Sequence, residues 1–376
     1  MSQITRDSLP PTILAPLTKG GNLPFRRLCV SFGATWTMSE MAYARQLVRG
    51  SKKEFALLQK HDSEPFFGVQ LAAGRVEDAI EASRIAVDKG ADFIDLNCGC
   101  PIHDVVKRGM GSTLLQRPNA LARIVEAMVG AVDVPVTVKI RSGWKESQIN
   151  ALEIGRLCQD AGAQMLTLHG RTREQRYTKS ANWDLVADLV RELDIPVVGN
   201  GDILTWHEGE SRRQSSDCAS VMLARGALIK PWLFSEFEDK TTRTPSADER
   251  LEIYLRLVTF MKEHFGADDR GRKRAFFFLP WHFGFLTRYR PMPDAEFRDR
   301  ALEHPLMQTR DEAFETVDEP LERILRDPRE STHQAMADVL WDADGDPGAA
   351  REALLTIEGA LEDPSAEASE VRVAQG

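Results

Sequence analysis

The sequence predicts an α/β chain: a (β/α)8 TIM barrel followed by a small all-helical domain. Three observations predict it. Eight short apolar runs alternate with amphipathic segments across residues 13–227. Several runs, such as Met165-Leu-Thr-Leu, are apolar without alternation, as strands covered on both faces must be. No G-x-G-x-x-G follows an early strand, which disfavours the doubly wound alternative.

Each strand is justified in turn by how it ends, because barrel chemistry gathers at C-terminal strand ends. Ile13–Leu17 runs into Ala15-Pro16-Leu17-Thr18, Thr35–Glu40 into Ser39-Glu40-Met41, and Phe66–Leu71 carries Val69-Gln70. Phe93–Asn97 opens onto Asn97-Cys98-Gly99-Cys100-Pro101, Val136–Arg141 onto Lys139-Ile140-Arg141, and Met165–Gly170 onto His169-Gly170-Arg171. Pro196–Gly201 leads to Asn200-Gly201-Asp202, and Ser220–Gly226 to Ala224-Arg225-Gly226. Polar endings in register on eight strands indicate an active site. Between strands, Val76–Lys89 sets Val76, Ala79, Ile80, Ala86 and Val87 on one helix face. The connection from Ile102 to Pro118 is long and holds Gly109 and Gly111, which predicts a mobile loop.

After Trp232 the pattern changes. Ser246–Gly266 reads as an amphipathic helix with Leu251, Tyr254, Leu255, Val258, Met261 and Phe265 as its stripe. The basic, aromatic stretch Arg270–Arg290 follows. The predicted divisions are a barrel over 1–240, a helical domain over 241–340, and an acidic tail over 341–376 whose last dozen residues are expected to be disordered. Net charge is -9 over 376 residues, but residues 311–376 hold 18 acidic and 5 basic side chains. The first 310 residues are therefore mildly basic, with 43 basic against 39 acidic, which allows a polyanionic partner. No run of 18 apolar residues occurs, so no membrane span is expected, and the N-terminus shows no apolar signal core. Five scattered cysteines suit a reducing cytoplasm and supply no metal-ligand spacing.

Several residues then stand out singly. Cys100 precedes Pro101, which pushes it toward an extended backbone at a strand end. A thiol with a pKa near ~8.5 is mostly protonated at neutral pH and can donate a proton as readily as attack. A lone cysteine is more often a small buried hydrophobe, the role expected of Cys98. Lys139 lies in an apolar strand and needs an anionic partner, either a carboxylate or an electron-rich cofactor ring. His169 by itself is more often a satisfied core histidine than a ligand, and Gln70 by itself is uninformative. Asn200-Gly201-Asp202 and Ala224-Arg225-Gly226 end strands seven and eight, where barrels commonly hold phosphate.

A phosphate site, a lysine under a ring and a thiol together suggest flavin mononucleotide facing a proton donor. With these motifs the chain resembles the tRNA-dihydrouridine synthases over residues 11–335. The resemblance rests on Ala15-Pro16-Leu17-Thr18 with Pro24-Phe25-Arg26, Glu40-Met41, Gly68-Val69-Gln70-Leu71, Asn97-x-Gly99-Cys100-Pro101 and Val138-Lys139-Ile140-Arg141. His169-Gly170-Arg171, Gly199-Asn200-Gly201-Asp202-Ile203 and Ala224-Arg225-Gly226-Ala227 complete it. Gly21-Asn22-Leu23-Pro24-Phe25-Arg26-Arg27, Arg173-Glu174-Gln175-Arg176-Tyr177-Thr178-Lys179 and Lys230-Pro231-Trp232-Leu233-Phe234 are similar to the eukaryotic branch acting on variable-loop position 47. Leu17 stands where that family usually has methionine, and the zinc-finger extension of the branch is not seen in these residues.

The resemblance implies that NADPH, or NADH, reduces FMN, and that the flavin then reduces the 5,6 double bond of a uridine in tRNA. Hydride would reach ring carbon 6, and the Cys100 thiol would protonate ring carbon 5. It implies that Lys139 holds the N1–O2 edge of the flavin, and that Gln70 and His169 contact the ring or ribityl chain. Pro16, Leu17 and Thr18 would contact the cofactor, Leu17 through its backbone. Asn200, Gly201, Asp202, Ala224 and Arg225 would hold the phosphate, while Asn97 and Arg141 would contact the uracil. Arg272, Lys273 and Arg274 are the expected tRNA contacts, since extruding a uridine costs a few kcal/mol that backbone contacts must offset. No metal is expected, and the chain is expected to be monomeric. A flavin enzyme acting on a free pyrimidine, and a non-catalytic tRNA-binding protein, are the other readings.

Overall fold

The computed structural model describes residues 3–291, 295 and 318–361, the side chains of 358–361 excepted. Nine strands form its sheet: β1 Thr12–Leu14, β2 Trp36–Met38, β3 Ala42–Tyr43, β4 Phe66–Ala72, β5 Phe93–Cys98, β6 Val136–Arg141, β7 Met165–His169, β8 Val197–Asn200 and β9 Ser220–Leu223. The order is β1-β9-β8-β7-β6-β5-β4-β2, every pair parallel, and β1 packs beside β2 to close the ring. β3 is a two-residue addition on the edge of β4 that the sequence pattern did not show. The eight-stranded barrel and the helices after it agree with the predicted fold class.

Strand parity explains where the polar groups lie. Alternate side chains face inward. Ile13, Trp36, Met38, Phe93, Met165, Val198 and Met222 form an apolar plug. Trp36, Phe66 and Phe93 stack there at ring separations of 4.2 and 5.3 Å. Two residues further along β5 the same inward face carries Asp95 and then Asn97, and β6 likewise carries Thr137, Lys139 and Arg141. The interior is therefore apolar at the N-terminal end and polar at the C-terminal end.

Most strands stop earlier than the apolar runs suggested. β1 ends at Leu14, so Pro16, Leu17 and Thr18 form a turn in which the Gly21 amide donates to the Leu17 carbonyl at 2.6 Å. Pro16 lacks the N–H a strand ladder needs. Similarly β8 ends at Asn200, and Gly201 and Asp202 follow with φ of 128° and 53°. The predicted helix over Val76–Lys89 is found at Val76–Asp88.

The Ile102–Pro118 connection is not the loose loop expected. It folds as a helix, His103–Lys107, and a tight turn, Gly111–Gln116, with Ser112, Leu114 and Leu115 buried. Its glycines serve geometry instead of mobility. Gly111 has φ 60°, and a Cβ there would lie 2.7 Å from the Cys100 carbonyl oxygen.

Beyond the barrel, Ala247–Phe265 starts at a capping box in which Ser246 and Glu249 satisfy each other's amides. Asp269–Ala275, Leu279–Leu286, Pro320–Leu325, Glu330–Asp342 and Pro347–Leu361 follow. The last of these lies inside the stretch read from sequence as an acidic tail. Leu354 and Ala350 are fully buried, and the helix packs on Ala247–Phe265 and Glu330–Asp342. An apolar stripe is hidden there among acidic residues that composition alone averages out. Residues 362–376 lie outside the described residues. No described helix is long and apolar enough to cross a membrane.

Candidate active site

Fourteen of the residues singled out in the sequence line one cavity at the C-terminal end of the barrel: Pro16, Leu17, Thr18, Gln70, Asn97, Cys100, Lys139, Arg141, His169, Asn200, Gly201, Asp202, Ala224 and Arg225. They come from seven different strand ends. Arg272, Lys273 and Arg274 do not line it; they sit on the separate Asp269–Ala275 helix. Lys273 and Arg274 are exposed there. Arg272 is engaged otherwise than expected: its guanidinium pairs with Asp338 and Asp342, each at 2.7 Å, and ties its helix to Glu330–Asp342.

Cys100 is held by its backbone. Its amide donates to Asn97 Oδ1 at 2.9 Å, and its carbonyl accepts from the Ser112 amide at 3.1 Å. Burial pushes its thiol above the usual range, against the Ile102 amide and the Arg141 charge. The thiol is thus protonated at neutral pH, the state a proton donor requires. Cys98 is fully buried in the core, and burial raises it well above the usual thiol range, so it stays inert.

The other side of the cavity is cationic. Lys139 Nζ donates to Asn200 Oδ1 at 2.9 Å. Burial and the Arg141 charge bring Lys139 down to about 7, opposed by Asp95. Arg141 donates to the Gly99 and Thr172 carbonyls at 2.9 and 3.0 Å, so no carboxylate neutralises it there. Arg171 grips Asp202 through both carboxylate oxygens at 2.7 and 2.6 Å, and Arg225 approaches the same carboxylate at 3.6 Å. His169 accepts from Arg171 Nη1 at 3.1 Å through Nε2. A guanidinium only donates, so the His169 proton is on Nδ1. Burial and the surrounding Arg141, Lys139, Arg171 and Arg225 hold His169 well below its usual value, as a neutral imidazole.

The buried Arg141 and Arg171 and the half-buried Lys139 and Arg225 therefore stand against two carboxylates, Asp202 and Asp95. Such an excess asks for a polyanion. Gly201 completes the corner near Asp202, since a Cβ there would lie 2.6 Å from the Ala181 methyl.

Residues 13–314 match the dihydrouridine synthase (Dus) family model. The chain belongs to the dihydrouridine synthase family. It is 40% identical over 296 residues to a tRNA-dihydrouridine(47) synthase of Coprinopsis cinerea, an alignment covering 75% of this chain and 44% of that protein. It is 43% identical over 296 residues to the enzyme so named in Cryptococcus neoformans, covering 74% and 41%. With the Homo sapiens tRNA-dihydrouridine(47) synthase-like protein identity is 43% over 283 residues, covering 74% and 43%. The chain thus spans less than half the length of these relatives.

In this dihydrouridine synthase barrel the structure adds residues that strand-end reading missed. Tyr177 lines the cavity, with Arg225 4.0 Å from its ring centroid and Arg171 and Arg141 at 5.9 and 6.0 Å. It stands in a loop eight residues past His169, inside the Arg173–Lys179 phrase of the family resemblance, which gave it no role. Trp281 and Phe285, one turn apart on the Leu279–Leu286 helix, form part of the cavity wall. The helical region thus reaches the site itself. Next to the cavity residue Thr18 in sequence, Lys19 Nζ lies 4.4 Å over the exposed Phe277 ring. Among the described residues no group of three or more metal-ligating side chains occurs.

Proposed function

We propose that this chain reduces the 5,6 double bond of a uridine in tRNA to dihydrouridine, with flavin mononucleotide as resident cofactor and NADPH or NADH as reductant. One observation carries the reading: a protonated thiol and three cationic side chains, Lys139, Arg141 and Arg225, share one cavity in a barrel of this family. The donor set fits the cofactor. The Lys139 ammonium answers an electron-rich ring, and Asn200, Gly201, Asp202, Ala224 and Arg225 lie together as phosphate-side groups. Pro16, Leu17, Thr18, Gln70 and His169 supply the remaining cofactor contacts.

Hydride delivery to uracil carbon 6 is the chemistry that a bound, reduced flavin supplies. The chain's own residues do the rest. Asn97 and Arg141 orient the uracil. Cys100 gives its thiol proton to carbon 5 and leaves a thiolate that solvent reprotonates. Lys139, as an ammonium, stabilises negative charge on the reduced ring. Two electrons and one proton arrive as hydride, and the second proton comes from Cys100. NADPH is oxidised to NADP+ in the refilling step.

The proposal extends to the whole molecule: a catalytic barrel over 1–240, a helical RNA-facing part over 241–340, and action as a monomer in the cytoplasm. Variable-loop position 47 is the first uridine to examine. The test is incubation of the purified protein, FMN and NADPH with unmodified tRNA, followed by mass spectrometry of nuclease fragments. A gain of two hydrogens at one uridine supports the reading. Reduction of free uridine at the same efficiency, or a protein that never holds flavin, defeats it.

A further inference from the structure

Asp95 is fully buried in the middle of β5, two residues before Asn97 on the same inward face. It does not line the cavity, and the reaction as proposed gives it no step. Its two oxygens are nevertheless committed: Oδ2 accepts from Gln70 Nε2 at 2.8 Å and Oδ1 from the Thr137 hydroxyl at 2.7 Å. Gln70 Oε1 in turn accepts from Asn97 Nδ2 at 2.8 Å. Asn97 Oδ1 accepts from the amides of Gly99 and Cys100 at 3.2 and 2.9 Å.

We propose that Asp95 is a positioning residue that holds the Cys100 loop in its proton-donating orientation through Gln70 and Asn97. This rests on the reading above, in which Cys100 protonates the uracil. The argument is one of hydrogen-bond polarity. A carboxylate accepts and never donates, so Gln70 satisfies it only by turning its NH2 downward. That leaves the Gln70 carbonyl oxygen for Asn97, whose NH2 is then used, and the Asn97 carbonyl oxygen for the two backbone amides. Reversing any member sets donor against donor at the next junction, in a buried site where an unmade hydrogen bond is costly. Asp95 fixes one end of this series, because a carboxylate only accepts, while the backbone amides of Gly99 and Cys100, which only donate, fix the other. Burial lifts its carboxyl to about 6, against the pull of Gln70, Thr137 and Lys139, so the ionised form prevails at pH 7.

The chain ends on the backbone of the residue whose thiol must meet carbon 5. A misplacement of order 1 Å at such a group, caused by a change away from the chemistry, costs about 100-fold in rate. Substitution by Asn separates polarity from charge. An asparagine there offers its carbonyl to Gln70 and its NH2 to Thr137, whose hydroxyl then accepts, so the downstream order is preserved.

The test uses the full chain with flavin bound, reduced anaerobically by NADPH and then mixed with tRNA, so that a single turnover of uridine reduction is timed apart from flavin reduction. Asp95→Leu is expected to slow this step roughly 10-fold to 100-fold, whereas Asp95→Asn stays close to the parent. In an Asn97→Ala background, Asp95→Leu should add no further loss, because the link it works through is already gone. Equal losses for Leu and Asn, or additive losses in the double variant, overturn the proposal. Should Asp95→Leu fail to fold, Gln70→Met cuts the same chain in its middle, and parent-level turnover in that variant overturns it as well. A parent protein that reduces no uridine at all sinks the functional reading instead, which keeps the two failures distinct.

Discussion

At the scale of single residues, burial decides which cysteine can act. Cys98 and Cys100 are two positions apart, yet Cys98 is sealed in the core while Cys100 stands half-buried at the cavity. Cys100→Ala should lower uridine reduction by roughly 100-fold or more, the scale of general acid catalysis. Flavin reduction by NADPH should persist, and Cys98→Ala should be mild. Equal small losses for both would contradict the assignment. Lys139 makes a second prediction. With its ammonium near 7, it is largely charged at pH 6 and largely neutral at pH 8.5. Binding an anionic cofactor requires the charged form, so above about pH 7 it must draw in a proton. FMN affinity, followed by flavin fluorescence, should therefore fall as pH rises from 6.5 to 8.5. In Lys139→Met it should be weaker and flat across that window, and a persisting slope would place the titrating group elsewhere.

At the scale of elements, the helix inside the acidic C-terminal stretch packs against the helices before it. Leu354 is fully buried within Pro347–Leu361. Leu354→Ala should cost about 2–5 kcal/mol of unfolding free energy, read by urea denaturation with flavin bound. Truncation after Asp342 should lower thermal stability too, rather than simply relieve charge repulsion. Unchanged unfolding midpoints for both would mean that the helix contributes nothing to the core. The Leu279–Leu286 helix carries a different duty, since Trp281 and Phe285 bring helical-region side chains into the cavity wall. Gly20 allows this approach: a Cβ there would lie 2.7 Å from the Trp281 ring.

At the scale of the whole molecule, acidic side chains hold several of the cations of the helical region. Asp338 and Asp342 hold Arg272, Asp344 holds Lys262, and Asp248 and Glu319 hold Arg351. Lys273 and Arg274 remain exposed on the helix that Arg272 anchors. Replacing both by Ser should flatten the slope of log tRNA affinity against log salt by about 0.7 to 0.9 for each true phosphate contact. Asp338→Asn with Asp342→Asn should do the reverse, releasing Arg272 and steepening the slope by about one such increment. Filter binding at several salt concentrations checks both. If neither pair moves the slope, the tRNA contacts lie elsewhere, and Lys19 beside the exposed Phe277 is the next pair to replace.

Much of the barrel was legible in the sequence because its signals are local. Apolar runs of strand length and polar strand endings both follow from the geometry of one strand at a time. For the same reason the fourteen cavity residues could be gathered before any coordinates: a barrel brings every C-terminal strand end to one face. What crosses between distant segments was not legible. Tyr177 over Arg225, Trp281 against the first β–α turn, Arg272 on Asp338, and the relay from Asp95 through Gln70 to Cys100 join residues that no spacing rule relates. Sequence by itself determined which groups stand at the mouth of the barrel. The tertiary structure alone decided which of them are paired, which way their amides point, and which charges are left for a ligand, because pairing and burial are properties of contacts and not of the chain.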